Sequence, residues 1–358
     1  MKTIKLIQFG LGGVGRAVVQ RVLASRDEFE WRYGLQLIYV AISDSVSAAI
    51  EPDGFSHAQL LEMMAIKEAG GALADSELGY ARGNLTDIVD IAGADETIVI
   101  DVTATDETAD ALLLALKRGY RAVLANKKPL TGPFSLFSAL TATGRLRYES
   151  TVGAGVPVIA TLRESIIASH DAVHRIEGCF SGTLGFLTTG LEEGSSFSEL
   201  VTEARALGFT EPDPRDDLGG MDVARKALIL ARTLGWPLEL AHIPVEPLFP
   251  PELAEGAVDD FMAALPQLDE DYRQKVAAAR ARDKTLRYVA TLAEGQAAVG
   301  LQEVPVASAL GQLRGADNIV SFHTEVYDQT PLVLQGRGAG VHGTAAGVLA
   351  DIVALADK

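Results

Sequence analysis

The chain has 358 residues, 48% of them hydrophobic and 22% charged, with a formal net charge of -17. That length exceeds what one core usually organises and suits two domains, while the acidic balance without a basic stripe excludes nucleic acid as a partner. A single cysteine, Cys179, excludes an internal disulfide, and no apolar run is long enough to cross a bilayer.

The N-terminus enters a strand pattern directly, without an apolar leader, and reads as cytoplasmic. Thr3 to Phe9 form that strand. Gly10-Leu11-Gly12-Gly13-Val14-Gly15 follows, and Val14, Val18, Val19 and Val22 then recur at helical spacing. This order of strand, glycine loop and helix is the phosphate-binding turn of a Rossmann-type domain. Its first glycine permits the tight turn, its second lets backbone approach a pyrophosphate, and its third lets helix pack on strand.

After a long loop from Ser25 to Gly34, a second strand, Leu35 to Ile42, ends at Ser43-Asp44-Ser45. An acidic residue there binds the adenosine ribose of NAD, whereas a neighbouring arginine accommodates the extra phosphate of NADP. No arginine adjoins Asp44 in sequence, which leans towards NAD, and the two serines tolerate a 2′-phosphate. Ser56 to Gln59 read as a capping box opening a helix. Thr97 to Val102 form a continuous apolar strand of a parallel sheet, so Thr103 to Asp106 fall where ligands of such sheets bind. A helix from 107 to 118 and a strand from Arg121 to Leu124 lead to Asn126-Lys127-Lys128-Pro129. Lys127 is there either a site residue or a snorkelling surface cation, and spacing does not decide. A strand from Arg145 to Glu149 then runs into Ser150-Thr151-Val152-Gly153-Ala154-Gly155-Val156-Pro157. Its glycines let carbonyls turn inward around a hard monovalent cation, although on residues alone a tight linker is the simpler reading.

In the second half, a helix from Pro157 to Ser169, a strand from Ala172 to Gly182 and a helix from Ser196 to Gly208 precede the densest chemistry of the chain. Residues 208 to 226 carry Glu211, Asp213, Asp217, Asp222 and Lys226, with Pro212 and Pro214 stiffening the loop and Gly219 and Gly220 turning it. Asp222 and Lys226 are four apart and share a helical face. On a solvated helix they would be an ordinary surface pair. This helix is apolar at almost every other position, so it is expected to be buried, where a lysine needs carboxylates to stay charged or becomes a base. Two connecting helices over 250–283 and four strands near 285–292, 297–304, 318–324 and 332–334 follow. Gly336 to Thr344 then opens a last helix, from 345 to 356, expected to return to the first domain.

The expected fold is therefore α/β, a doubly wound parallel sheet followed by an α+β domain with a mostly antiparallel sheet. The expected boundaries are 1–150 for the dinucleotide-binding domain, 151–335 for the catalytic and dimerisation domain, and 336–358 for the returning segment.

Across nearly its whole length the chain resembles homoserine dehydrogenases, specifically the short, fungal-like form without a C-terminal regulatory domain. The resemblance rests on Gly10 to Gly15, Asn126 to Pro129, Glu149 to Gly155, Phe180 to Gly185, Glu211 to Lys226, Gly315 to Asn318 and Gly338 to Gly340. It implies reversible NAD- or NADP-dependent reduction of aspartate 4-semialdehyde to homoserine by a homodimer. By resemblance, Lys226 donates and accepts the proton. Glu211, Asp217 and Asp222 hold the substrate. Lys127 serves substrate and nicotinamide, while Thr103 and Gly340 join the glycine loop at the cofactor. A sodium ion is implied at Glu149, Val152, Ala154 and Val156. Two rivals stand beside it: a thioester-forming aldehyde dehydrogenase, for which Cys179 is the only nucleophile, and a non-catalytic dinucleotide sensor.

Overall fold

Lys2–Phe9 (β1) is buried along most of its length because it lies inside a sheet covered on both faces. Its companions are Leu35–Ser43 (β2), Ser47–Ile50 (β3), Gly79–Ala81 (β4), Thr97–Asp101 (β5), Arg121–Leu124 (β6) and Leu146–Arg147 (β7). The strand order is β4-β3-β2-β1-β5-β6-β7. From β2 to β7 neighbouring strands are parallel, and β3 and β4 add a short antiparallel edge. β1 lies between β2 and β5, so connections diverge there and leave a crevice at the strands' carboxyl ends.

The computed structural model describes residues 1–356, which form two units, Met1–Gly155 with the chain from Gly340 onward, and Val156–Ala339. In the first unit, the helix Gly13–Ala24 (α1) brings Val18, Val19 and Val22 into one core with Ile4, Leu6, Ile98 and Ile100. The last helix, Val341–Ala356, adds Ala345, Val348 and Ile352 to that core and packs on α1. The doubly wound sheet and the returning helix thus match the expected fold class.

Local departures have physical causes. The stretch expected as a loop after Ser25 is a helix, Arg26–Tyr33 (α2), with Asp27 and Glu28 in its first turn, Arg32 in its last and left-handed Gly34 closing it. It buries only Phe29, so no apolar period announces it; its signal lies in charge placement and the terminal glycine. Ser56 and Gln59 form the expected reciprocal cap of the helix His57–Glu68 (α3).

The second unit is built on Val173–Cys179 (β8), Lys284–Ala293 (β9), Gln296–Pro305 (β10), Asn318–Thr324 (β11) and Leu332–Gly336 (β12). They form an antiparallel sheet in the order β10-β9-β8-β11-β12. The helices Gly182–Glu193 and Met221–Thr233 pack on β9, the latter also on β10. β8 stops at Cys179 because Ser181 caps the next helix, its hydroxyl accepting from the Leu184 N–H at 3.2 Å. The expected helix after Pro157 is one α-turn, Val158–Ala160, widening into a π-helix over Thr161–Ile167. The connecting helices are Val258–Ala264 and Asp269–Arg280. Among the described residues no helix is long and apolar enough to cross a membrane.

Candidate active site

In the first unit the glycine loop is fixed from below. Gln8, fully buried, donates through Nε2 to the carbonyls of Gly10 (2.9 Å) and Gly15 (3.2 Å), and its Oε1 accepts from the Tyr39 hydroxyl at 3.0 Å. Gly10 has φ +97°, and a Cβ there would lie 3.2 Å from Thr103 Cγ2; one on Gly15 would lie 2.2 Å from the Gly10 carbonyl. Nothing lies near a Cβ on Gly12, so its backbone faces open space. Gly10, Leu11, Gly12 and Thr103 line a cleft of about 420 Å3. Gly340 begins the last helix beside the same loop, since a Cβ on Gly13 would touch Val341 at 3.4 Å.

Thr103 is oriented by Asp101, whose Oδ1 accepts from the Thr103 N–H (3.0 Å) and hydroxyl (2.7 Å). Burial pushes the Asp101 carboxyl up from its usual range, against bonds from Thr108, Thr103 and Asn126. Asn126 Nδ2 bonds Asp101 (3.0 Å), the Thr105 carbonyl (2.8 Å) and the Thr103 hydroxyl (3.1 Å), while its Oδ1 accepts from the Lys128 N–H at 3.1 Å. One asparagine therefore ties the loop carrying half-buried Lys127 to the loop carrying Thr103. Sequence reading left Gln8 and Asn126 without a role because a single buried amide has no spacing signature.

Asp44 departs from its sequence reading. Its Oδ1 accepts from the N–H groups of Val46 (3.0 Å) and Ser47 (2.7 Å) and from the Ser47 hydroxyl (2.7 Å). Its Oδ2 accepts from Lys67 Nζ (2.9 Å) and the Leu73 N–H (3.0 Å). An arginine does adjoin this loop in space: Arg82 Nε donates to the carbonyls of Asp44 (3.1 Å) and Ser45 (3.2 Å). The sequence-local reading missed it because 38 residues separate the two.

The carboxylate loop of the second unit gathers its predicted residues. Gly220, at φ +74°, starts the helix Met221–Thr233, and a Cβ there would lie 1.9 Å from the Tyr288 hydroxyl, so the turn requires glycine. Lys226 is 9% exposed, as the apolar helix predicts. Its Nζ donates to the Phe180 carbonyl at 2.6 Å and pairs with Asp222 Oδ2 at 2.8 Å. Asp217 Oδ2 accepts from the Glu211 N–H at 2.8 Å, and Thr183, which bonds the Phe209 carbonyl at 2.6 Å, reaches Asp217 Oδ1 at 3.4 Å. Burial chiefly, with the charges of Glu211 and Asp222, pushes the Asp217 carboxyl up against the Glu211 and Thr183 bonds. Asp213 turns back onto Arg215 at 2.7 Å instead of projecting from the proline-stiffened loop. Thr183 lies in the Phe180 to Gly185 motif but was given no role there, and the Phe180 carbonyl gave no sequence signal, since a carbonyl is present at every position.

At the predicted cation loop, Glu149 is buried and its N–H donates to Asp351 Oδ2 at 2.8 Å. Gly153 and Ala154 are both left-handed, at φ +83° and +55°, an unusual conformation for alanine. Val152 is buried, and Val156 opens the second unit, its carbonyl accepting from the Val158 N–H at 2.8 Å. No cluster of three or more His, Cys, Asp or Glu suited to a metal occurs among the described residues. One carboxylate with backbone carbonyls fits a hard monovalent cation rather than a transition metal.

Cys179 is buried among Val289, Val304, Leu310 and Ile319, and burial pushes its thiol up to about 12. Such a thiol is neither accessible nor ionised near neutrality, which removes the thioester rival.

The family model for homoserine dehydrogenase matches residues 157–353, and the model for the NAD-binding domain of homoserine dehydrogenase matches residues 10–149. A bifunctional aspartokinase/homoserine dehydrogenase of Haemophilus influenzae is 36% identical over 98% of this chain, which spans 43% of that relative's length. A homoserine dehydrogenase of Paracoccidioides brasiliensis is 42% identical over 73% of this chain and 74% of its own. A hyperthermophilic archaeal homoserine dehydrogenase, solved in complex with NADPH, superposes with a TM-score of 0.77 at 25% identity, covering 98% of this chain and 97% of that one. With a family model matched across more than half of its length, this chain belongs to the homoserine dehydrogenase family.

Proposed function

We propose that this chain interconverts aspartate 4-semialdehyde and homoserine with a nicotinamide dinucleotide. The observation that carries the reading is a lysine on a buried helix, bonded to a carboxylate and a carbonyl, beside a carboxylate-rich loop. A sensor that only bound a dinucleotide would have no use for it.

The glycine loop, Thr103 and Gly340 hold the dinucleotide, which supplies the hydride when bound. Lys127 orients substrate and nicotinamide. Two N–H groups of the Lys226 ammonium are engaged, by Asp222 and by the Phe180 carbonyl, which leaves a third for the substrate's carbonyl oxygen. As hydride adds to the aldehyde carbon, the C=O π pair moves onto oxygen, and Lys226 gives that oxygen its proton. In reverse the same nitrogen takes the proton back. Glu211, Asp217 and Asp222 would grip the substrate's ammonium end, a role supported by the family resemblance and by the gathering of these carboxylates on one loop.

Glu149, Val152, Ala154 and Val156 would hold a sodium ion that fixes the loop. The family resemblance supports a cytoplasmic homodimer in threonine, methionine and isoleucine biosynthesis. The test is absorbance of reduced cofactor during homoserine oxidation, with NAD and NADP in parallel. Reduction that requires homoserine is expected; no reduction of either cofactor at alkaline pH would sink the reading. Exchange of sodium for a bulky organic cation is expected to lower the rate, and an unchanged rate would leave the loop a structural hinge.

A further inference from the structure

We infer that this chain selects the 2′-phosphorylated dinucleotide, with Arg82 as the residue that selects it. The inference rests on the dinucleotide reading of the glycine loop and is independent of which substrate is turned over.

An acidic residue at the end of the second strand selects an unphosphorylated ribose by accepting from its hydroxyls. Asp44 stands at that position and cannot do so. A carboxylate has about four lone-pair sites, and five donors from its own unit already meet this one: the Val46, Ser47 and Leu73 N–H groups, the Ser47 hydroxyl and Lys67. Burial resists its ionisation, but the Lys67 bond and the others outweigh burial and hold the carboxyl well below the usual range, so it stays an occupied anion. Asp44 is a staple that shapes its loop, and no NAD-selecting acceptor is left there.

Arg82 is placed by the same loop. Its Nε is pinned on the carbonyls of Asp44 and Ser45, and Nη1 lies 3.3 Å from the Gly83 carbonyl. Arg82 and Ser45 line the glycine-loop cleft and also a second, adjoining cleft of about 670 Å3 reaching Leu85 and Ala111. Among the described residues the anion on the guanidinium is Glu107, 2.9 Å from Nη2 and 64% exposed. The Arg82 side chain is itself only 14% exposed, so its guanidinium is held in place while its carboxylate partner stays in solvent, and a phosphate dianion offers the same fork more charge and more acceptor oxygens. Lys67, which also lines the glycine-loop cleft, is engaged by Asp44 and by the Gly71 carbonyl at 2.7 Å and keeps one ammonium N–H, so it can add a single bond to the phosphate, whereas Arg82 presents the fork that selects it.

The test is calorimetric binding of 2′,5′-ADP and 5′-AMP, which needs no turnover. The parent should bind 2′,5′-ADP at least tenfold more tightly than 5′-AMP. Arg82→Ala should weaken 2′,5′-ADP by about 10- to 100-fold, the range for a lost charged hydrogen bond, and leave 5′-AMP within about threefold. Because Arg82 also pins the loop, Glu107→Gln provides a variant that leaves those bonds intact; it should raise the preference for 2′,5′-ADP by a few-fold. Equal binding of the two fragments by the parent, or a preference unchanged in both variants, would overturn the proposal. A protein that binds neither fragment nor either intact cofactor would overturn the dinucleotide reading beneath it.

Discussion

Asp44 and Asp222 are both aspartates paired with a lysine near the end of a regular element, yet their surroundings give them different work. The Asp44 side chain is 5% exposed and accepts from five donors, whereas the Asp222 side chain is 46% exposed and pairs with a lysine that is itself buried. A saturated, buried carboxylate has no capacity left for a ligand and holds the fold together. The Asp222 carboxylate, beside a buried lysine, is open to solvent, as a carboxylate proposed to meet a substrate must be. The meaning of a lysine–carboxylate pair therefore lies in which partner is buried and how many other donors the carboxylate already meets.

The sharpest contrast is between removing Lys226, the proposed proton-transfer lysine, and removing the staple. Lys226→Ala should lower turnover by roughly two to four orders of magnitude, the usual range for a positioned proton-transfer group, with cofactor affinity nearly unchanged. Asp44→Ala should instead lower stability by about 3 kcal/mol, because it strands Lys67 and two buried backbone N–H groups; thermal unfolding reads this directly. If Asp222→Ala lowered the melting temperature as far, the comparison would fail.

The staple also has a pH signature. The Asp44 carboxyl is more acidic folded than unfolded, where the ordinary value is about 3.9, so on acidification the unfolded chain binds the proton first. Its stabilising contribution is fully present above about pH 4 and is lost as pH falls further. Asp44→Asn should therefore flatten the acid limb of the stability curve, and parallel limbs in parent and variant would contradict the assignment.

Smaller effects come next. Asp222→Ala should raise the Michaelis constant by about tenfold, a loss of one charged contact to the substrate, with a stability loss of about 1–2 kcal/mol, smaller than that of Asp44→Ala because solvent reaches the Asp222 side of the pair. Any fall in its turnover would measure how far Asp222 also orients Lys226. Cys179→Ser should leave turnover within about twofold, while the buried hydroxyl costs roughly 1–3 kcal/mol of stability; a large loss of turnover in a folded variant would revive the thioester chemistry.

The fold was legible wherever periodicity was strong. β1, the glycine loop, β5, β6 and β11 announce themselves by apolar runs and turn residues, and Lys226 by its place beside the apolar run Ala227 to Ala231. α2 was hidden because it buries one side chain, and β3 and β4 because edge strands of four and three residues are too short to carry a period. In the site, side chains on the motifs were legible, whereas the groups that position them were not. Gln8, Asn126, Thr183 and Arg82 act through contacts between segments distant in sequence, and Asp44 looked like a ribose ligand until its donors could be counted. Residue type and spacing report what a side chain can do; its neighbours decide whether it is free to do it.

The central claim, that Lys226 moves the proton, is tested most directly by chemical rescue. The Lys226→Ala protein, shown by fluorescence to bind reduced cofactor, would be assayed for homoserine oxidation with increasing methylamine. The account predicts slow turnover that rises with the free amine concentration, since a small base can take up the proton that the missing side chain would have taken. A folded, cofactor-binding Lys226→Ala protein that oxidises homoserine at the parent rate without added amine would contradict it.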